Sequence, residues 1–167
     1  MDQRRVNTNA RTQLAIHGEG EMIQKNEFAR FIREKRRDYN DLHHEQLTTR
    51  KIAQHLSLNQ SSFPKVLNRE RPTKKRDLII AIGIVLGLFP GEVSEALRLY
   101  EMPELEDQRK LSGEEVDRDR FISKMLINNS SSQENGCSIE QFNQALMDNG
   151  FAPLSITSDH LHRHKEG

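Results

Sequence analysis

Between Lys25 and Arg76 the chain carries fourteen basic and six acidic residues, a net of +8. From Asp77 onward the balance reverses to eight basic and sixteen acidic, so the 167-residue chain is neutral as a whole. A dense set of guanidinium and ammonium groups attracts polyanions, phosphate above all, while an acidic remainder limits adhesion elsewhere. Covalent chemistry is poorly provided for. No Ser/His/Asp set, glycine-rich phosphate loop or carboxylate pair has a spacing that would assemble a site, so no enzymatic activity is expected. His43 and His44 adjoin Glu45, and His160, His162 and His164 alternate. No cysteine or carboxylate shell surrounds either group, so neither a metal site nor a cofactor is expected. Cys137 is the single cysteine; it excludes an internal disulfide, fits a reducing compartment and reads as an inert thiol.

The elements that must position the basic residues follow from apolar spacing. Only 34% of residues are apolar and 30% are charged, against about 45–50% and about 25% in ordinary domains, which leaves a modest core and some unpacked tail. The longest apolar run, Leu78 to Pro90, is interrupted by Gly83 and Gly87 and falls short of the roughly 18 residues that span a bilayer. The first residues lack the apolar stretch of a signal peptide, so a cytoplasmic location and no membrane partner are expected.

Residues 1–21 read as a polar tail. Asn26 can cap a first helix with the stripe Phe28, Phe31 and Ile32, its other faces carrying Arg30, Arg33, Lys35, Arg36 and Arg37, and Tyr39 to Gln46 reads as a connector. Thr48 or Thr49 caps a second helix with Ile52, Ala53 and Leu56 inward. A third, near Asn59 to Leu67, sets Phe63, Val66 and Leu67 on one side. Asn68 to Thr73 is a turn, with Asn68 suited to a left-handed conformation and Pro72 blocking continuation. Asp77 caps a fourth helix that is apolar almost all round, as a central core helix must be. Gly87 ends it, and Pro90 opens a fifth with Val93, Ala96, Leu97 and Tyr100 on one face. Residues 103–111 read as an acidic linker. Ser112 with Glu115, and Ser138 with Gln141, have capping-box spacing before two more amphipathic helices, with a loop from Asn128 to Gly136 between them. The last pair, within 112–154, must pack on the first five helices or on a second copy through Phe121, Met125, Phe142 and Leu146. Residues 155–167 read as a tail.

Two helices separated by about three residues inside such a bundle suggest a helix-turn-helix. The run Leu47–Thr73 (LTTRKIAQHLSLNQSSFPKVLNRERPT) resembles the lambda-repressor-like, Cro/C1 or XRE-type helix-turn-helix family. Leu47 and Thr48, the inward Ala53, the set Leu56-Ser57-Leu58, the paired Ser61 and Ser62, and Asn68 before Arg71 carry the likeness. Asp77–Pro103 is similar to the family's fourth and fifth helices, so the resemblance spans roughly Phe28 to Tyr100. It implies an all-α protein, a five-helix lambda-repressor-like DNA-binding bundle over residues 22–102 followed by a C-terminal helical pair. It also implies a sequence-specific transcriptional regulator of the bacterial cytosol or nucleoid, with double-stranded DNA as partner; the alternative packing of the C-terminal stripes on a second copy would suit a homodimer reading two half-sites. Base contacts then fall to Gln60, Ser61, Ser62 and Lys65, and phosphate contacts to Thr49, Arg50, Asn68, Arg69, Arg71, Lys74 and Lys75. Ser57 must carry strain if the bend needs positive φ. Pro64 requires that the third helix begin late, capped by Ser61 or Ser62, or be kinked. The runner-up is a protein-interaction adaptor or an antitoxin-like regulator on the same fold with weakened base reading.

Overall fold

The computed structural model describes residues 27–131 and 138–156; Asn26, Cys137 and the alternating histidines from His160 lie outside them. The described residues form seven helices and no strand: α1 (27–43), α2 (Thr49–His55), α3 (Phe63–Leu67), α4 (Arg76–Val85), α5 (Pro90–Leu99), α6 (Gly113–Ser131) and α7 (Ile139–Asp148). The all-helical class is as expected.

Two helices are longer than their apolar spacing announces. α1 takes in Tyr39 to His43, part of the expected connector, because Tyr39 continues the stripe of Phe28, Phe31, Ile32 and Lys35 and stacks on His43 at 4.2 Å. The true connector is residues 44–48. α6 takes in the first residues of the expected loop, as far as Ser131, because its polar last turn has buried work to do, and the remainder of that loop, 132–136, lies outside the described residues. Asn129 donates to Ile84 O at 3.1 Å, and Ser130 donates to Gly87 O and Leu88 O at 2.8 and 2.9 Å.

One terminal device recurs at the ends of α1, α2, α3, α4, α5 and α7. A left-handed residue follows the helix, namely His44, Ser57, Arg69, Gly87, Glu101 and Gly150. The next N–H then reaches back five residues to an orphan carbonyl at 2.9 to 3.2 Å. This Schellman geometry satisfies terminal carbonyls, although the left-handed region costs about 1–2 kcal/mol for a residue with a Cβ. At the end of α3 it replaces the expected arrangement: Asn68 stays right-handed at φ −83°, and Arg69 turns at φ +59°.

α4 is the central helix. Leu78, Ile79, Ile80, Ala81, Ile82 and Ile84 are all buried, and one hydrophobic core joins them to residues of every other helix. α7 lies against α4 and α6, and α6 against α5. The C-terminal pair therefore packs on its own chain. Phe142 and Leu146 are fully buried there, so they cannot supply a face for a second copy as expected; Phe121 and Met125 remain half-buried.

A crossed pair of ion pairs fixes this packing. Arg76 bonds Asp119 at 2.7 and 3.0 Å, while Arg118 bonds the next residue, Asp77, twice at 3.0 Å. Asp77 consequently does not cap α4. The helix starts at Arg76 with Lys75 before it, and Asp77 instead accepts from Arg118 and from Ser155 N at 2.8 Å. The stretch read as linker is held by the same cluster: Pro103 O and Glu104 O accept from Arg76, and Glu106 N donates to Asp119.

Candidate nucleic-acid interface

α2 begins as its sequence dictates. Thr48 Oγ1 accepts from Lys51 N at 3.1 Å, and Ile52, Ala53 and Leu56 are completely buried. Thr49 is half-exposed and Arg50 exposed. The helix ends on Ser57, whose φ of +54° is the strained bend expected of it.

Pro64 takes the late-start alternative. α3 is a five-residue helix with Pro64 in its first turn, where the missing N–H costs least. Ser62 stands at the N-cap position, but neither serine caps the helix through its side chain. Ser62 makes no capping bond, and the polar turn before the helix is organised by Asn59. Asn59 Oδ1 accepts from Ser61 N at 2.8 Å and from Ser61 Oγ at 2.6 Å, while Asn59 O accepts from Phe63 N at 3.1 Å. Phe63 and Leu67 anchor α3 in the core, which leaves Gln60, Ser61 and Lys65 exposed and Ser62 half-exposed. The four expected base-contact residues thus share the outer side of one short segment, with the Ser61 hydroxyl proton already committed to Asn59.

The far end of α3 is tied down by α5. The Tyr100 hydroxyl donates to Val66 O at 2.9 Å and accepts from Thr73 N at 3.2 Å. Burial pushes the Tyr100 phenol pKa above its usual 10.0. Arg69 lies over the Tyr100 ring at 4.9 Å and pairs with Glu101 at 2.7 Å. This ion pair joins two left-handed residues, and it turns the Arg69 side chain, 13% exposed, towards its own protein. Lys75 is likewise engaged, reaching Ser155 Oγ at 3.3 Å. Asn68, Arg71 and Lys74 are exposed. Of the seven expected phosphate contacts, five therefore face outward and two, Arg69 and Lys75, are held by the fold. Asn59 and Tyr100 were not anticipated in these roles. The Asn-x-Ser spacing before Phe63 signals the first, whereas the second depends on a partner 34 residues away.

Some cations are paired and others are not, and Arg109, Lys110 and Lys124 on the C-terminal side also lack an ion pair among the described residues. Arg69, Arg76, Arg98, Arg118 and Arg120 each pair with a carboxylate, and Lys35 pairs with Glu92, whose hydrogen bond raises the lysine's pKa. Arg50, Lys51, Lys65, Arg71 and Lys74, all on α2, α3 and the turn that follows, have no ion pair among the described residues. Positive charge left uncompensated beside exposed amide and hydroxyl groups is suited to a phosphate polyanion whose bases present donors and acceptors.

No family model matches the chain, and no curated protein or solved structure is significantly similar to it. No helix among the described residues is long and apolar enough to cross a membrane.

Proposed function

We propose that this protein is a sequence-specific double-stranded DNA-binding transcriptional regulator without enzymatic activity, acting in the cytosol or nucleoid through a lambda-repressor-like helix-turn-helix. The observation that carries this reading is the cluster of uncompensated cations on α2, α3 and the following turn, Lys65 among them, next to the exposed Gln60 and the half-exposed Ser62. In the major groove Gln60 can pair with adenine through both amide atoms, Lys65 with guanine or a phosphate, and the serines with either. Arg50, Arg71 and Lys74, with Thr49 and Asn68, meet the backbone and set the register. Arg69 steadies the end of α3 instead of touching DNA.

Selection of bound duplexes from random sequence, followed by titrations at several salt concentrations, tests the reading. Replacing Gln60, Ser62 and Lys65 together by alanine is expected to reduce affinity for the selected duplex by about 100-fold or more, since each good base contact is worth about 1–3 kcal/mol. Binding to bulk DNA should change far less. The five-residue α3 favours the second reading, an adaptor or antitoxin-like protein that keeps the fold for a protein partner. A wild-type chain that fails to discriminate any duplex from bulk DNA decides for that alternative.

A further inference from the structure

Arg33, Arg36, Arg37 and Asn40 stand at i, i+3, i+4 and i+7 on α1, the spacing that lines side chains along one flank of a helix. Asn40 marks what lies beside that flank. Its Oδ1 accepts from Leu47 N at 2.7 Å and its Nδ2 donates to Leu47 O at 3.4 Å, and Leu47 directly precedes the cap residue of α2. The arginines therefore run along the side of α1 that meets the start of α2. The side that meets α5 is different: there Lys35 is neutralised by Glu92. Arg33 and Arg37 are exposed and Arg36 half-exposed. None of the three has an ion pair among the described residues, although Asp41 stands four positions after Arg37. All three are arginines, whose fork of donors matches two phosphate oxygens at once where lysine offers a point charge.

We propose that Arg33, Arg36 and Arg37 extend the phosphate-binding track of the helix-turn-helix onto α1, so that a DNA backbone reaching the start of α2 continues along this flank. The proposal rests on the DNA-binding reading above and adds a contact surface to it. Such contacts raise affinity and salt dependence and leave base choice untouched.

The test compares two full-length triple variants, Arg33→Gln/Arg36→Gln/Arg37→Gln and Arg109→Gln/Lys110→Gln/Lys124→Gln. The second removes the same charge from exposed positions outside the proposed surface. Anisotropy titrations use a selected duplex and its scrambled counterpart across a range of salt. The α1 variant is expected to lose about tenfold or more on both duplexes, with the slope of log K against log salt reduced by roughly two to three, about 0.9 per phosphate contact. The control should lose less than about threefold, as expected where no phosphate contact is removed. Equal losses in the two variants, no loss in the α1 variant, or a changed ratio between duplexes overturns the proposal alone when the wild-type chain discriminates the duplexes. Unaltered DNA binding with arginine-dependent retention on phosphatidylserine vesicles also overturns it, assigning the flank to a lipid surface. A wild-type chain that discriminates nothing fails the underlying reading, and this proposal with it.

Discussion

The junction between α2 and α3 and the junction between α4 and α5 are assembled from matching parts and used in opposite ways. Leu56-Ser57-Leu58 and Leu86-Gly87-Leu88 each close a helix on a left-handed middle residue, at φ +54° and +65°. In both, the second leucine's N–H returns to a small residue's carbonyl at 2.9 Å, Ala53 in one and Gly83 in the other. Each is followed by a helix with proline in its first turn. Beyond that point they diverge. α5 begins at once on Pro90, runs ten residues and buries Val93, Ala96 and Leu97. α3 waits through the Asn59–Ser62 turn, runs five residues and buries only Phe63 and Leu67. The inner junction uses its tight bend for packing. The outer one uses the same bend to hold a short helix by two anchors, with its polar side chains in water.

Closeness of approach should separate the two junctions most strongly. A Cβ on Gly83 would lie 2.7 Å from Val93 Cγ2, so α5 seats against bare backbone. Gly83→Val is expected to cost about 2–3 kcal/mol through overpacking, read as a lower urea midpoint at unchanged slope. If stability is unaltered, the close α4–α5 approach is not what distinguishes the inner junction.

The next largest effect concerns how the outer helix is tied back to the inner one. Tyr100→Phe removes the hydrogen bonds to Val66 O and Thr73 N, a loss of about 1–2 kcal/mol for two bonds in a partly buried setting. It should also alter the alkaline limb of the stability profile. Burial raises the Tyr100 pKa above 10.0, so the unfolded phenol ionises first. The stabilisation is complete below pH 10 and is lost as pH climbs through the folded-state pKa. Tyr39, also raised by burial, retains its share in the variant. Urea midpoints between about pH 9 and 11 should therefore fall less steeply in Tyr100→Phe than in the wild type; parallel curves would mean that the hydroxyl is not sequestered.

Local features were legible: the Thr48 cap, both capping boxes, the stop at Gly87 and the strain at Ser57 follow from spacings of a few residues, and Pro64 narrows α3 to a late start or a kink. What escaped depended on distance along the chain. Asp77 has the right type and place for a cap, but Arg118, 41 positions on, takes both its oxygens. Asn129 and Ser130 look like loop residues until Ile84 O, Gly87 O and Leu88 O are found opposite them. At the candidate site the outward residues were legible because α3 needs its apolar side inward. Arg69 was not, since its pairing with Glu101 spans 32 residues. Phe142 and Leu146 carried a stripe that suits a self-chain core and a second copy equally, and only packing chooses between them.

The smallest expected effect tests whether the two bends are interchangeable. Ser57 holds a left-handed conformation that costs a residue with a Cβ about 1–2 kcal/mol, whereas glycine adopts it freely but loses about 0.5–1 kcal/mol more entropy on folding. Ser57→Gly should thus stabilise the protein by about 0.5–1 kcal/mol, and loss of the hydroxymethyl group at the bend takes nothing from the exposed side of α3. Gly87→Ser should cost a similar amount and no more, because a Cβ there meets nothing within 4 Å. Distant sites add within about 0.5 kcal/mol, so the double exchange should melt close to wild type. A larger deficit in the exchange would locate the difference between the junctions in the bend itself, and not in the lengths of the helices that follow.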